Sequence, residues 1–113
     1  MEALRAKIES AFDNVVNARK RLFETTEAEI DFREQLKGRE MELLAMPADK
    51  TPITGKNAET RQAQLRELTV DLRDALSRAE KDKRMATLAL EIALDARRNL
   101  ESMLRIEELQ KVD

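Results

Sequence analysis

Residues 46–57 read Met46-Pro47-Ala48-Asp49-Lys50-Thr51-Pro52-Ile53-Thr54-Gly55-Lys56-Asn57, and they decide the fold. Both prolines of the chain and one of its two glycines fall here. Proline has no N–H to donate, and it forces the residue before it out of the α region. A helix arriving from the N-terminus therefore stops near Ala45–Met46. Asn57 is a good N-cap, and Glu59 in the following turn complements the helix dipole. The stretch is thus predicted to be a connection over about 47–56, between a helix of about 2–46 and another of about 57–111. Spans of this size run to roughly 65 and 80 Å at 1.5 Å per residue. Gly38 is the weak point of the first, costing about 1 kcal/mol against alanine. A kink or early end at Lys37-Gly38 is the structural alternative.

Helices this long need a partner along their length. In the first, one heptad column reads Ile8, Val15, Leu22, Glu29, Leu36, Leu43, and its companion Leu4, Ala11, Ala18, Thr25, Phe32, Arg39, Met46. In the second, the columns read Leu65, Leu72, Ala79, Ala86, Ala93, Leu100 and Leu68, Ala75, Asp82, Ala89, Ala96, Met103. Mostly apolar residues three and four apart form a coiled-coil seam. The fold class is all-α, a long antiparallel helical hairpin in a single domain, expected to associate further into a four-helix bundle. Folding symmetrically about the loop pairs residue i with 103 − i. Val15 then faces the alanine-rich stretch near residue 88, and residues after about 102 overhang without a partner.

Composition narrows the chemistry. The 113 residues include 21 Lys+Arg and 23 Asp+Glu, with no His, Cys, Trp or Tyr. Without His, no side chain titrates near neutrality unless strongly perturbed. Without His and Cys, structural zinc and di-iron bundle sites are excluded. No apolar run approaches a membrane span, and the N-terminus lacks the layout of a signal peptide. No cofactor, metal or catalytic residue is assigned, and the chain is expected to be cytoplasmic and not an enzyme. Asp82 and Glu29 occupy seam columns; they read as structural ion-pair members, with Arg78 and with Arg33 or Arg73 as partners.

A surplus of apolar surface points to interaction. Phe12, Val16, Phe23 and Ile30 form a second strip beside the first seam, with Leu44. Met85–Ala96, which contains Leu90 and Leu94, is apolar nearly all round. The overhang adds Met103, Leu104, Ile106, Leu109 and Val112. Helices apolar all round are buried, and large exposed patches mark interaction sites. Phe12, Val16, Phe23, Ile30, Leu90, Leu94, Leu104, Ile106 and Leu109 are therefore the candidate protein-interaction residues. The expected partners are a second copy, as a dimer, and a further protein. A different reading groups Arg19, Lys20 and Arg21 with Arg78, Lys81, Lys83 and Arg84 as a mid-hairpin basic girdle. Such a girdle could contact nucleic-acid phosphates; the ordinary role of these charges is a solvated face. Thr54-Gly55-Lys56 lacks the remainder of a phosphate loop.

Thr54-Gly55-Lys56-Asn57-Ala58-Glu59-Thr60-Arg61 resembles a segment of small uncharacterised helical proteins from bacteria and phages. In these, Thr-Gly-Lys-Asn-Ala-Glu-x-Arg opens a long charged helix after a loop. The resemblance covers about a dozen residues. It implies a helical hairpin, phage-encoded or bacterial, and brings no catalytic residues.

Overall fold

The computed structural model describes residues 2–111. Among them, α1 spans Glu2–Ala45, α2 Ala58–Leu68 and α3 Val70–Gln110, with no strand. The chain is an all-α helical hairpin, 87% helical. Helix α1 ends two residues before Pro47, and Asn57 caps α2, its side chain accepting from the Thr60 N–H at 2.8 Å. α1 runs unbroken through Gly38, where an added Cβ would meet nothing within 4 Å. The kink considered there does not form: neighbouring turns of good helix formers absorb the cost of one glycine.

The fold divides into two compact units. The loop unit is Thr26–Lys81; the terminal unit is made of residues 2–25 and 82–111.

The loop unit is closed by its connection. Ile53 folds back and is buried with Leu43 and Leu65, and Met46 packs against them. Pro47 O accepts from the N–H groups of Lys50 and Thr51, making a turn. Thr51 Oγ1 then accepts from the Ile53 N–H at 3.1 Å, holding that side chain inward. Beyond it the backbone lies against the start of α2. The Gly55 N–H donates to Gln64 Oε1 at 2.8 Å, and Gln64 Nε2 donates to Thr54 Oγ1 at 3.1 Å. A Cβ at Gly55 would sit 2.8 Å from the Arg61 nitrogen. Glycine is required by this close approach; its φ is not positive.

The second helix is not continuous. Thr69, only 1% exposed, separates α2 from α3 with φ −113° and ψ 14°. Its N–H is shared between the Leu65 and Arg66 carbonyls, and its hydroxyl donates to Leu65 O at 2.8 Å. Such back-bonding by a threonine locally distorts a helix. The same hydroxyl accepts from Arg73 Nε at 3.0 Å, and Arg73 Nη2 reaches Glu40 Oε1 of α1 at 2.6 Å. The single helix expected over 57–111 is thus interrupted at buried Thr69, which anchors a half-buried polar network. No glycine or proline announces it.

The seam of α1 follows the expected columns, with Leu4, Ala11, Val15, Glu29 and Leu43 buried. Only Arg39 departs: it is exposed and pairs with Glu42, while Glu40 turns inward. In the second helix one column is as expected, with Leu65, Ala79 and Ala86 buried. The companion column is not. Ala75 is half-buried, but Leu68, Asp82, Ala89, Ala96 and Met103 are exposed. Their place is taken one residue later by buried Thr69 and half-buried Leu76, Lys83, Leu90, Arg97 and Leu104.

The register differs as well. The Leu43–Leu65 contact fits residue i opposite 108 − i, five residues beyond the symmetric folding, because Ile53 tucks back and lets the start of α2 project past the end of α1. Arg33–Glu80 and Glu40–Arg73 fit the same register, since helical side chains lean toward their own N-termini. In the terminal unit Leu4, Ala11, Val15 and Ala86 are buried, and Ala18, Leu22, Leu90, Ala93 and Arg97 are half-buried, so its seam mixes bulky and small side chains. Alanines in place of Leu90 and Arg97 would leave voids in a seam that already holds Ala11, Ala18, Ala86 and Ala93. Arg97 enters the seam with its Nε buried, and Lys83 is half-buried. The overhang expected after about residue 102 does not begin there; beyond Glu107, residues 108–111 are exposed in succession. Leu104 and Glu107 are half-buried in the unit that buries Leu4. Val112 lies outside the described residues.

Candidate interaction surface

With the columns of Ile8, Val15 and Leu22 on α1 and of Leu76, Lys83 and Leu90 on α3 taken as heptad position a, the ion pairs Arg33–Glu80 and Glu40–Arg73 of the loop unit join e positions of the two helices. The e flanks of the two helices thus share one side of the hairpin, and the g flanks share the other.

In the terminal unit the buried and half-buried columns define the same heptad positions: Val15, Leu22, Ala11 and Ala18 on α1, and Lys83, Leu90, Ala86 and Ala93 on α3. An antiparallel pair places e flanks together on one side and g flanks on the other, and two apolar stripes lie on these flanks. Phe12 is an e residue of α1, and Val16 and Phe23 occupy the adjoining b column. All three are exposed, Phe12 at 55% and Phe23 at 66%. Arg19, the e residue between Val16 and Phe23, is also exposed. On α3 the stripe lies on the g flank. Ala89, Ala96 and Met103 are g residues, and Met85, Ile92 and Ile106 fill the c column beside them; all are exposed. Leu88 and Leu109 widen the stripe outward. Two sides of one helical pair are therefore apolar, and each draws its apolar residues from a different helix.

The other candidate residues are dispersed. Ile30 is exposed on α1 but belongs to the loop unit, as does Leu44. Leu90 and Leu104 are half-buried at seam positions, and Leu94 is half-buried on the e flank. Ile106 and Leu109 are exposed. Sequence reasoning passed over the g/c stripe as a site because it placed Ala89, Ala96 and Met103 in the seam. The signal was present in their spacing with Met85, Ile92 and Ile106.

The basic residues do not converge on one face. Arg19 and Arg84 are on the e side of the terminal unit and Arg21 is on the g side, while Lys83 is half-buried in the seam. Lys20 points outward from α1, and Arg78 and Lys81 belong to the loop unit. Glu29 is buried and accepts from Arg33 Nη2 at 2.7 Å. Asp82, expected in the seam with Arg78, is exposed. The seam column lies one residue further on.

Among the described residues there is no group of three or more acidic, His or Cys side chains able to hold a metal ion. Among the described residues no helix is long and apolar enough to cross a membrane. The concavity lined by Glu40, Leu44, Ala58, Arg61, Gln62 and Leu65 is open and holds no nucleophile beside a base. No protein family, curated protein or solved structure matches the chain.

Proposed function

We propose that the chain is a cytoplasmic, non-catalytic coiled-coil adaptor that self-associates and binds a further protein through helix packing. The observation that carries this reading is the pair of exposed apolar stripes on opposite sides of the terminal unit. Scattered surface apolars are normal, but contiguous ones at helical spacing mark binding surfaces. Phe12, Val16 and Phe23 recur at four and seven residues, which suits a partner helix laid alongside α1. Arg19 within that row favours a partner bearing a carboxylate at the matching turn. Aromatic residues and arginine are the side chains most often energetically dominant at interfaces.

The test is capture from a host lysate with nuclease present, at about 0.5 M salt, where phosphate contacts would be lost. Wild type should retain a protein that Phe23→Glu loses, with unchanged helicity of the variant. Recovery equal in both, or recovery that nuclease abolishes, would reject the assignment to this stripe. Recovery abolished by nuclease would point instead to the basic residues and nucleic acid.

A further inference from the structure

We infer that the exposed stripe of α3 is a homodimer interface, in which two α3 helices pack antiparallel about a twofold axis at Ala96. The inference rests on the self-association proposed above and names its surface.

The first ground is area. The chain exposes 8734 Å². A compact monomer of 13.0 kDa exposes about 6,300 Å², so the surplus is about 2,400 Å². A stable interface needs about 800 Å² from each partner. Part of the surplus belongs to any two-helix hairpin; the chemistry of the remainder is what decides. From Met85 to Leu109, a length of about 36 Å of helix, six large side chains are each more than half exposed: Met85, Leu88, Ile92, Met103, Ile106 and Leu109.

The second ground is self-complementarity. A twofold interface requires that if residue i meets j of the partner, j meets the partner's i. Antiparallel pairing about Ala96 meets this condition along the stripe. Ala96 faces the partner's Ala96, so the helices approach closely at the axis. Ala89 receives the partner's Met103, a large side chain on a small one. Met85 falls beside the partner's Ile106 at each end. Asn99, exposed in the same row, meets the partner's Ile92; one polar residue in an apolar row fixes register at some cost in stability. The α1 stripe lies on the opposite flank and cannot join this contact. Two copies joined through α3 would present two outward-facing Phe12/Phe23 rows, so the adaptor would be bivalent.

Because the chain has no cysteine, introduced cysteines report the geometry directly. Disulfides need Cα atoms within about 7 Å. Sedimentation equilibrium of the wild type should give a dimer, and Ile92→Glu should weaken it about tenfold or more by burying an unpaired charge. Under mild oxidation Ala96→Cys should cross-link with itself. Ala89→Cys and Met103→Cys should each stay free of disulfide cross-links alone and cross-link when mixed, since like residues would lie about 21 Å apart. A wild-type monomer would overturn self-association and this interface together. A dimer that cross-links through Val16→Cys and not through Ala96→Cys would overturn only the choice of α3. Self-cross-linking of Ala89→Cys would overturn the antiparallel arrangement.

Discussion

The loop unit and the terminal unit are built from the same kinds of residue, yet they finish differently. In the loop unit Ile53 covers Leu43 and Leu65, and Gly55, Gln64 and Thr54 satisfy one another over the start of α2. Thr69, Arg73 and Glu40 tie the second helix to α1. In the terminal unit the seam combines Leu4 and Val15 with Ala11, Ala86 and Ala93, and Phe12, Phe23, Met85, Ile92 and Ile106 stand exposed in rows on its two flanks. The loop unit also exposes Ile30, Met41 and Leu44, but it is tied together by a loop side chain and a polar network, whereas the exposed residues of the terminal unit recur at helical spacing. The comparison teaches that a hairpin can separate the task of holding its fold from the task of meeting a partner, without a change in composition.

Substitutions can break that contrast. The largest effect is expected for Leu43→Ala, about 3 kcal/mol by urea denaturation, since it empties the centre of the loop unit's only buried apolar cluster among the described residues. A cost below about 1 kcal/mol would mean that the loop does not close the unit. Next comes a matched pair in the terminal unit. Ala86→Leu, at a position 1% exposed, should cost about 2 kcal/mol by overpacking, whereas exposed Ala89→Leu should leave the stability of the unassociated chain within about 0.5 kcal/mol. Equal effects would return Ala89 to the seam and dissolve the second stripe. The two glycines form another contrast. Gly55→Ala should destabilise by about 1–2 kcal/mol because its Cβ meets backbone, while Gly38→Ala should stabilise by about 0.5–1 kcal/mol in open space, both read by thermal unfolding. The smallest effect is expected for Phe23→Ala. It should change monomer stability by less than about 0.5 kcal/mol while reducing partner capture. A larger loss of stability would place Phe23 in the core.

The helices and the connection were legible because their signals are local. Pro47 and Asn57 act on their own backbones, and the column of Ile8, Val15, Leu22, Glu29, Leu36 and Leu43 has one polar residue in six, against two, Glu9 and Lys37, in the adjoining column of Val16, Phe23, Ile30 and Leu44. The second helix was legible only by half. Its two columns flanking Ala79, Ala86 and Ala93 are comparably apolar, and the column with Ala89 and Ala96 contains fewer long charged residues than the one with Lys83 and Arg97. A rule that keeps charge out of seams therefore favours the wrong one. Thr69 was missed for a related reason: a threonine distorts a helix when its hydroxyl is engaged, and Arg73 and Glu40 engage it only once the helices are paired.

The sequence by itself determined that this protein is two long helical arms joined at residues 46–57, that zinc and imidazole chemistry are outside its means, and that it carries more apolar surface than one seam uses. The tertiary structure decided the rest: the register through Ile53, the interruption at Thr69, and which flank of each helix is left exposed. The physical reason is that helix ends and periodicity are fixed by neighbours along the chain. The choice between two adjacent apolar columns is fixed by the volume the paired seam must fill, and a seam that already holds Ala11, Ala18, Ala86 and Ala93 takes in the larger Leu90 and Arg97.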